Sequence, residues 1–144
     1  MKNNMVAKLM AGSLFALLTM GSATAVTLSV TVQNVEGNEG TINGAVCSKK
    51  DFMKNCMQFT ATEKASTGLV VLNFKELPVG KYAVTVYQDK NSNQKLDTDA
   101  SGNPTEKVAY SGRGAQSPDA AAPSFDDAAI NIKDGKNQIT VSLR

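Results

Sequence analysis

Apolar residues recur at every second position in one short segment after another. Val26, Leu28, Val30 and Val32 alternate with Thr27, Ser29, Thr31 and Gln33. A period of two lays one set of side chains on a buried face and the other on a solvated face, which defines a half-buried strand. The pattern returns at Thr41 to Cys47, at Met57, Phe59 and Ala61, and at Val70, Leu72 and Phe74. It is clearest from Lys81 to Gln88, where Tyr82, Val84 and Val86 face one way and Ala83, Thr85 and Tyr87 the other. Val108-Ala109-Tyr110 predicts a short strand, and Ala128 to Ile132 and Gln138 to Leu143 predict the last two. Turn signals separate them: Glu36 to Gly40, Leu77-Pro78-Val79-Gly80, and Asp134-Gly135-Lys136-Asn137, whose Asp-Gly marks a hairpin. There is no long helical periodicity. About seven such strands predict an all-β chain, an antiparallel two-sheet β-sandwich.

Residues 1–25 read as a cleaved signal peptide rather than as fold. Lys2 and Lys8 precede an apolar stretch from Leu9 to Met20, and Ala23-Thr24-Ala25 has the A-x-A form of a cleavage site. The apolar stretch is short for a membrane span, and no second one follows. The expectation is an exported protein, periplasmic or secreted, with no membrane span in the mature chain and one domain over residues 26–144. Losing Lys2 and Lys8 brings the 15 Lys and Arg level with the 13 Asp and Glu. A mature chain near neutrality gives no electrostatic reason to bind nucleic acid.

Cys47 and Cys56 are the only cysteines. In an oxidising compartment a close, even pair reads as a disulfide. A metal pair or a redox pair fits less well: the spacing is not C-x-x-C, and the chain has no histidine to complete a metal site. Phe52 and Met53, inside the loop so closed, are expected to plug the sandwich edge.

The strand at Lys81 to Gln88 delivers the chain into Asp89-Lys90-Asn91-Ser92-Asn93-Gln94-Lys95-Leu96-Asp97. Side-chain oxygens fall at alternate positions, Asp89, Asn91 and Asn93, with Asp97 following. This is the start of an EF-hand-type calcium loop. A hard cation takes six to eight oxygens at roughly 2.3–2.6 Å, and a tight loop can aim alternate side chains at one centre while the Lys95 carbonyl fills a gap. Two positions depart from that pattern. Gln94 stands where a sharp-turn glycine is expected, and Ala100 where a bidentate acid is expected. Asp97, Asp99 or Glu106 can supply the missing carboxylate. The other reading is an Asn- and Asp-rich turn with no ion. Residues 89–123 form a long loop, and Gly112 to Pro123, rich in alanine and proline, reads as its flexible part.

Phe74-Lys75-Glu76-Leu77-Pro78-Val79-Gly80-Lys81-Tyr82-Ala83-Val84-Thr85-Val86 resembles the F-x-x-L-P-x-G-x-Y-x-V-x-V strand pair of transthyretin-like and Cna-B-like sandwiches. That likeness implies an immunoglobulin-like or prealbumin-like arrangement. The longer series is more specific. Tyr87 to Asp97, then Gly102-Asn103-Pro104-Thr105-Glu106, Ala109-Tyr110-Ser111 and Pro123 to Ala128 resemble the DUF2141 family of exported bacterial proteins. The pattern there runs H-D-x-N-x-N-G-K-L-D, G-x-P-x-E, G-F-S and P-x-F-x-D-A. Gln88 replaces its frequent histidine, Gln94 its glycine, and Ala109-Tyr110 its Gly-Phe. The resemblance implies an exported single-domain sandwich and groups Asp89, Asn91, Asn93, Asp97 and Glu106 as one constellation. It implies no activity.

Without histidine, Ser-His-Asp and Cys-His catalysis are excluded. Carboxylate pairs remain, Asp97 with Asp99 and Asp126 with Asp127, but a small sandwich without tryptophan offers a poor cleft for them. The reading is therefore a non-enzymatic exported binding or structural module with a calcium loop at 89–97, its partner a protein or a glycan. The alternative is a domain binding carbohydrate or a small ligand, or weakly catalytic, through an exposed surface at Tyr87 and Tyr110, with the acidic loop only a turn.

Overall fold

The computed structural model describes residues 26–116 and 122–144. The expected signal peptide lies outside them, as do five residues of the long loop. The strands run in the order β1 (Val26–Val35), β2 (Thr41–Cys47), β3 (Phe59–Lys64), β4 (Gly68–Leu77), β5 (Gly80–Asp89), β6 (Val108–Tyr110), β7 (Ala129–Ile132) and β8 (Lys136–Ser142). One short helix, α1 (Phe125–Ala128), precedes β7.

Two sheets form, as the alternation predicts. One has the order β4-β1-β8; the other has β3-β2-β5-β6, with β7 paired to β5 beside β6. The core lies between them. Leu28, Val30 and Val32 of β1 and Leu72 and Phe74 of β4 meet Ile42 and Val46 of β2 and Val84 and Val86 of β5. Glu76, at φ +58, marks a bulge in β4, where the register slips between Val26↔Leu77 and Leu28↔Phe74. Phe59 and Tyr82 pack edge to face at the margin of this core, their centroids 6.5 Å apart.

All the strand pairs are antiparallel except one. β8 runs parallel to β1, from Thr27↔Lys136 to Gln33↔Ser142. This departs from the hairpin expected at Asp134-Gly135. The chain does turn there, with Gly135 at φ +90, but β7 stays on β5 while β8 crosses to the other sheet. Val141 and Leu143 are thereby buried in the core. Backbone bonds in both directions between Val108 and Arg144 then join β6 to the chain just after β8.

A second, smaller cluster covers one end of the outer face of the five-stranded sheet. Cys47 and Ala83 of the sheet meet Phe52, Phe125 and Ala128. The Cys47–Cys56 disulfide closes the loop that carries Phe52 over this end. Phe52 packs edge to face on Phe125 with centroids 5.8 Å apart. Phe52 is the plug expected of this loop; Met53 is not, being 56% exposed. Ala128, where the sequence starts this strand, instead ends the helical turn from Phe125, which Ser124 caps by accepting from the Asp127 N–H at 3.2 Å. Residues Gly112–Gln116, expected as part of a flexible stretch, form a 3₁₀ turn. Ser111 fastens this region to β5: its hydroxyl accepts from the Val84 N–H at 2.7 Å and donates to the Ala128 carbonyl at 2.5 Å.

Candidate functional site

β5 carries the site. Its inward residues end at Gln88, opposite Ile42, and its outward residues end at Asp89, opposite Thr41. Both are fully buried. Gln88 clamps the turn after β1: its Nε2 donates to the Glu36 carbonyl at 2.7 Å and its Oε1 accepts from the Glu36 N–H at 3.0 Å. Gly40, at φ +75, lies hard against the other residue. A Cβ there would stand 1.9 Å from the Asp89 carbonyl oxygen. Only glycine admits so close an approach.

The Asp89 carboxylate is the hub of the loop. Its Oδ2 accepts from the Gln94 N–H at 2.7 Å and from Asn43 Nδ2 at 3.3 Å, and its Oδ1 accepts from the Asn93 N–H at 3.2 Å. Gln94 stands at φ +63 and Ser92 at φ +54. The chain therefore makes the left-handed turn at the position where glycine was expected, without glycine. Asp97 is a second hub. Asn91 Nδ2 donates to its Oδ2 at 2.6 Å and Asn93 Nδ2 to its Oδ1 at 2.7 Å. Lys95 is held through its N–H, which donates to Asn93 Oδ1 at 3.0 Å.

Glu106 closes the ring from beyond the expected span. A bridge at Thr98↔Pro104 and a bond from the Thr105 N–H to the Asp97 carbonyl fold the chain back. Glu106 then accepts from the Lys90 N–H at 3.2 Å and the Asp97 N–H at 3.1 Å, one on each oxygen. Asp89, Asn91, Asn93, Asp97 and Glu106 thus share one hydrogen-bonded loop. Asp99 does not join it. Its Oδ1 takes the N–H groups of Ser101 and Asn103, and the bonds from Asn103 foremost hold its carboxyl below the ordinary range. No group of three or more His, Cys, Asp or Glu among the described residues converges as a metal centre. Any ion here would draw on amide and carbonyl oxygens as well.

Two lysines couple this loop to the β1–β2 turn. Lys90 and Lys107 both stand 3.5 Å from Glu36 Oε2, and their charges, Lys90 first, hold the Glu36 carboxyl below its ordinary value. The other carboxylates weighed for chemistry are engaged elsewhere. Asp126 pairs with Lys49 at 3.9 Å and Lys81 at 3.7 Å, and Asp127 with Arg113 at 2.9 Å.

Beside the loop lies a cleft of about 590 Å³. Its floor is the outer face of the five-stranded sheet. Met53 of the disulfide loop and Met57 just after it bound one side, and Ser92, Gln94 and Leu96 the other. Tyr87 and Tyr110 both line it. The exposed tyrosine surface expected from the sequence is thus a cleft wall: Tyr110 is only 7% exposed and Tyr87 is half-buried. Burial raises both phenols above their ordinary values. A hydrogen bond with Asn43 opposes the rise at Tyr87, and the charges of Asp89, Glu106 and Asp97 add to it.

A two-layer β-sandwich with an Asx-rich loop at the end of its central strand defines the class of the protein. Within it, the family model described as an uncharacterized protein conserved in bacteria, DUF2141, matches residues 30–140, and the chain belongs to that family. No curated protein and no solved structure matches it.

Proposed function

We propose that the protein is an exported, non-enzymatic module of the extracytoplasmic space whose 89–106 loop is ordered by calcium. One observation carries the calcium reading. Two Asn amides converge on the Asp97 carboxylate, at 2.6 and 2.7 Å. Oxygen and nitrogen of an amide are nearly isosteric, so turning Asn91 and Asn93, which gives up their bonds from the Asn93 and Lys95 N–H groups, presents two oxygens where two N–H groups now point. Asp89 accepts three hydrogen bonds and keeps one of its roughly four acceptor sites for an ion, and the positive φ of Gln94 gives the loop its required turn. Asp89, Asn91, Asn93, Asp97 and Glu106, with the Lys95 carbonyl, would hold the ion. Bound there, calcium supplies charge neutralisation and rigidity.

Export is supported by the charged, apolar and A-x-A succession of residues 1–25 and by the Cys47–Cys56 disulfide, a bond of oxidising compartments. No helix among the described residues is long and apolar enough to cross a membrane. The non-enzymatic reading rests on the carboxylates: Asp99, Asp126 and Asp127 are tied into a turn and ion pairs rather than facing each other across a cleft.

Thermal unfolding of the oxidised protein in EDTA and in calcium tests this. With a Kd near 10⁻⁴ M, about 10 mM calcium stabilises the folded state by about 2.7 kcal/mol. The midpoint should rise in the parent and in Asp126→Ala, and should not move in Asp97→Ala. An unchanged midpoint in the parent rejects calcium ordering.

A further inference from the structure

The cleft floor is built from two cross-strand rows. Register places Thr62, Asn43, Tyr87 and Val108 in one row, and Thr60, Ala45, Thr85 and Tyr110 in the next. Each row crosses four strands spaced about 4.8 Å apart. All eight residues line the same cleft. The rows carry three threonine hydroxyls, one amide and two phenols, and no charge. Ala45, the smallest side chain, lies in the middle of its row and leaves the floor lowest there.

The chemistry of this lining selects its occupant. Lys54 is its one charged lining residue; the carboxylates of Asp89, Asp97 and Glu106 act on the Tyr87 wall but are taken up by the N–H groups of the adjoining loop. An anion would meet a single cation, and a cation would meet no carboxylate in the lining. An acyl chain would strip water from Thr60, Thr62 and Thr85 and return no hydrogen bonds, at a cost for each. An extended peptide binds sheets at an edge, through free backbone groups. Here the central strands are flanked on both sides, β2 by β3 and β5, and β5 by β2 and β6, and the free backbone groups of the edge strand β3 point sideways in the plane of the sheet rather than up into the cleft. A saccharide chain meets every requirement. Its hydroxyls pair with hydroxyl and amide groups, and its C–H faces pack on tyrosine rings and on Met53 and Met57, which are 56% and 72% exposed. The volume, about 590 Å³, falls within the range of small-molecule sites, about 300–1,000 Å³.

We propose that this cleft binds a neutral oligosaccharide, laid across the Thr62–Val108 and Thr60–Tyr110 rows between the disulfide loop and the Asp89 loop. The proposal does not depend on calcium, since the floor belongs to the sheet.

Amide resonances of the oxidised protein, followed during titration with hexasaccharides of β-1,4-glucose, α-1,4-glucose and β-1,4-N-acetylglucosamine, test it. Hexagalacturonate and octanoate serve as charged and acyl probes. At least one neutral sugar should shift Thr60, Ala45 and Thr85, with Kd of about 0.1–1 mM. Thr85→Val keeps the shape of the floor and should weaken binding about tenfold through the lost hydroxyl. Thr62→Trp, on the exposed edge strand, should block it. Three outcomes overturn the proposal: no shift with any neutral sugar at about 10 mM, undiminished binding in both variants, or tighter binding of hexagalacturonate or octanoate.

Discussion

Gln88 shows how much one buried amide can organise. It sits at the end of the apolar face of β5 and holds Glu36 by both its N–H and its carbonyl. Replacing it with alanine strands two backbone groups at the end of the core. We expect a loss of about 1–3 kcal/mol, read from the urea midpoint at unchanged slope. The sequence did contain the signal. Gln88 is in phase with Tyr82, Val84 and Val86, and a polar residue on a buried face needs a partner. Read only as a missing histidine, its structural role stays hidden. Gly40 is harder to see. Its turn is legible, but its approach to the Asp89 carbonyl joins two residues 49 positions apart and depends on strand pairing.

At the scale of elements, the loops are held down by few ties, and each can be cut. Reducing Cys47–Cys56 frees the short loop that carries Phe52. It should cost about 2–3 kcal/mol and speed hydrogen exchange over residues 48–58 before the rest of the chain. The Glu36 ion pairs tie the β1–β2 turn to the acidic loop. Because the folded carboxyl titrates below its ordinary value, of about 4.3, the stabilisation is complete above that pH and disappears as pH falls through the folded value. Glu36→Gln should therefore melt below the parent at neutral pH and draw level with it as pH falls through the folded value, and salt should narrow the gap. The acidic loop itself was largely legible, since alternating oxygens have a local logic. Glu106 was one of three candidates for the missing carboxylate, beside Asp97 and Asp99, and the family pattern grouped it with the loop; what brings it there is the Thr98↔Pro104 bridge, which spacing does not reveal. Ser124 at the start of α1 was a readable cap, overshadowed by the apolar alternation that follows it.

For the whole molecule, period-two patterning sufficed for the two-sheet sandwich, because a strand with one apolar face must cover it. Patterning does not say which sheet a strand joins. Asp134-Gly135 has the local chemistry of a hairpin, yet β7 and β8 part company there, since burying Val141 and Leu143 beside β1 outweighs a two-strand ribbon. The tyrosine-lined cleft was missed as a cleft for a similar reason. Its walls come from the disulfide loop and the Asp89 loop, which meet the sheet only in three dimensions. Calcium, if it orders one wall, should slow exchange across residues 89–106 and leave the floor strands unchanged.

The parallel pairing of β1 and β8 has a mechanical consequence. The start of one strand and the finish of the other lie at opposite poles of the sheet. Tension applied between those points pulls the two strands lengthwise past each other. The rungs from Thr27↔Lys136 to Gln33↔Ser142 then share the load together instead of opening one by one, as a zipper would. A domain wired in this way resists stretching along its long axis far better than its modest size suggests.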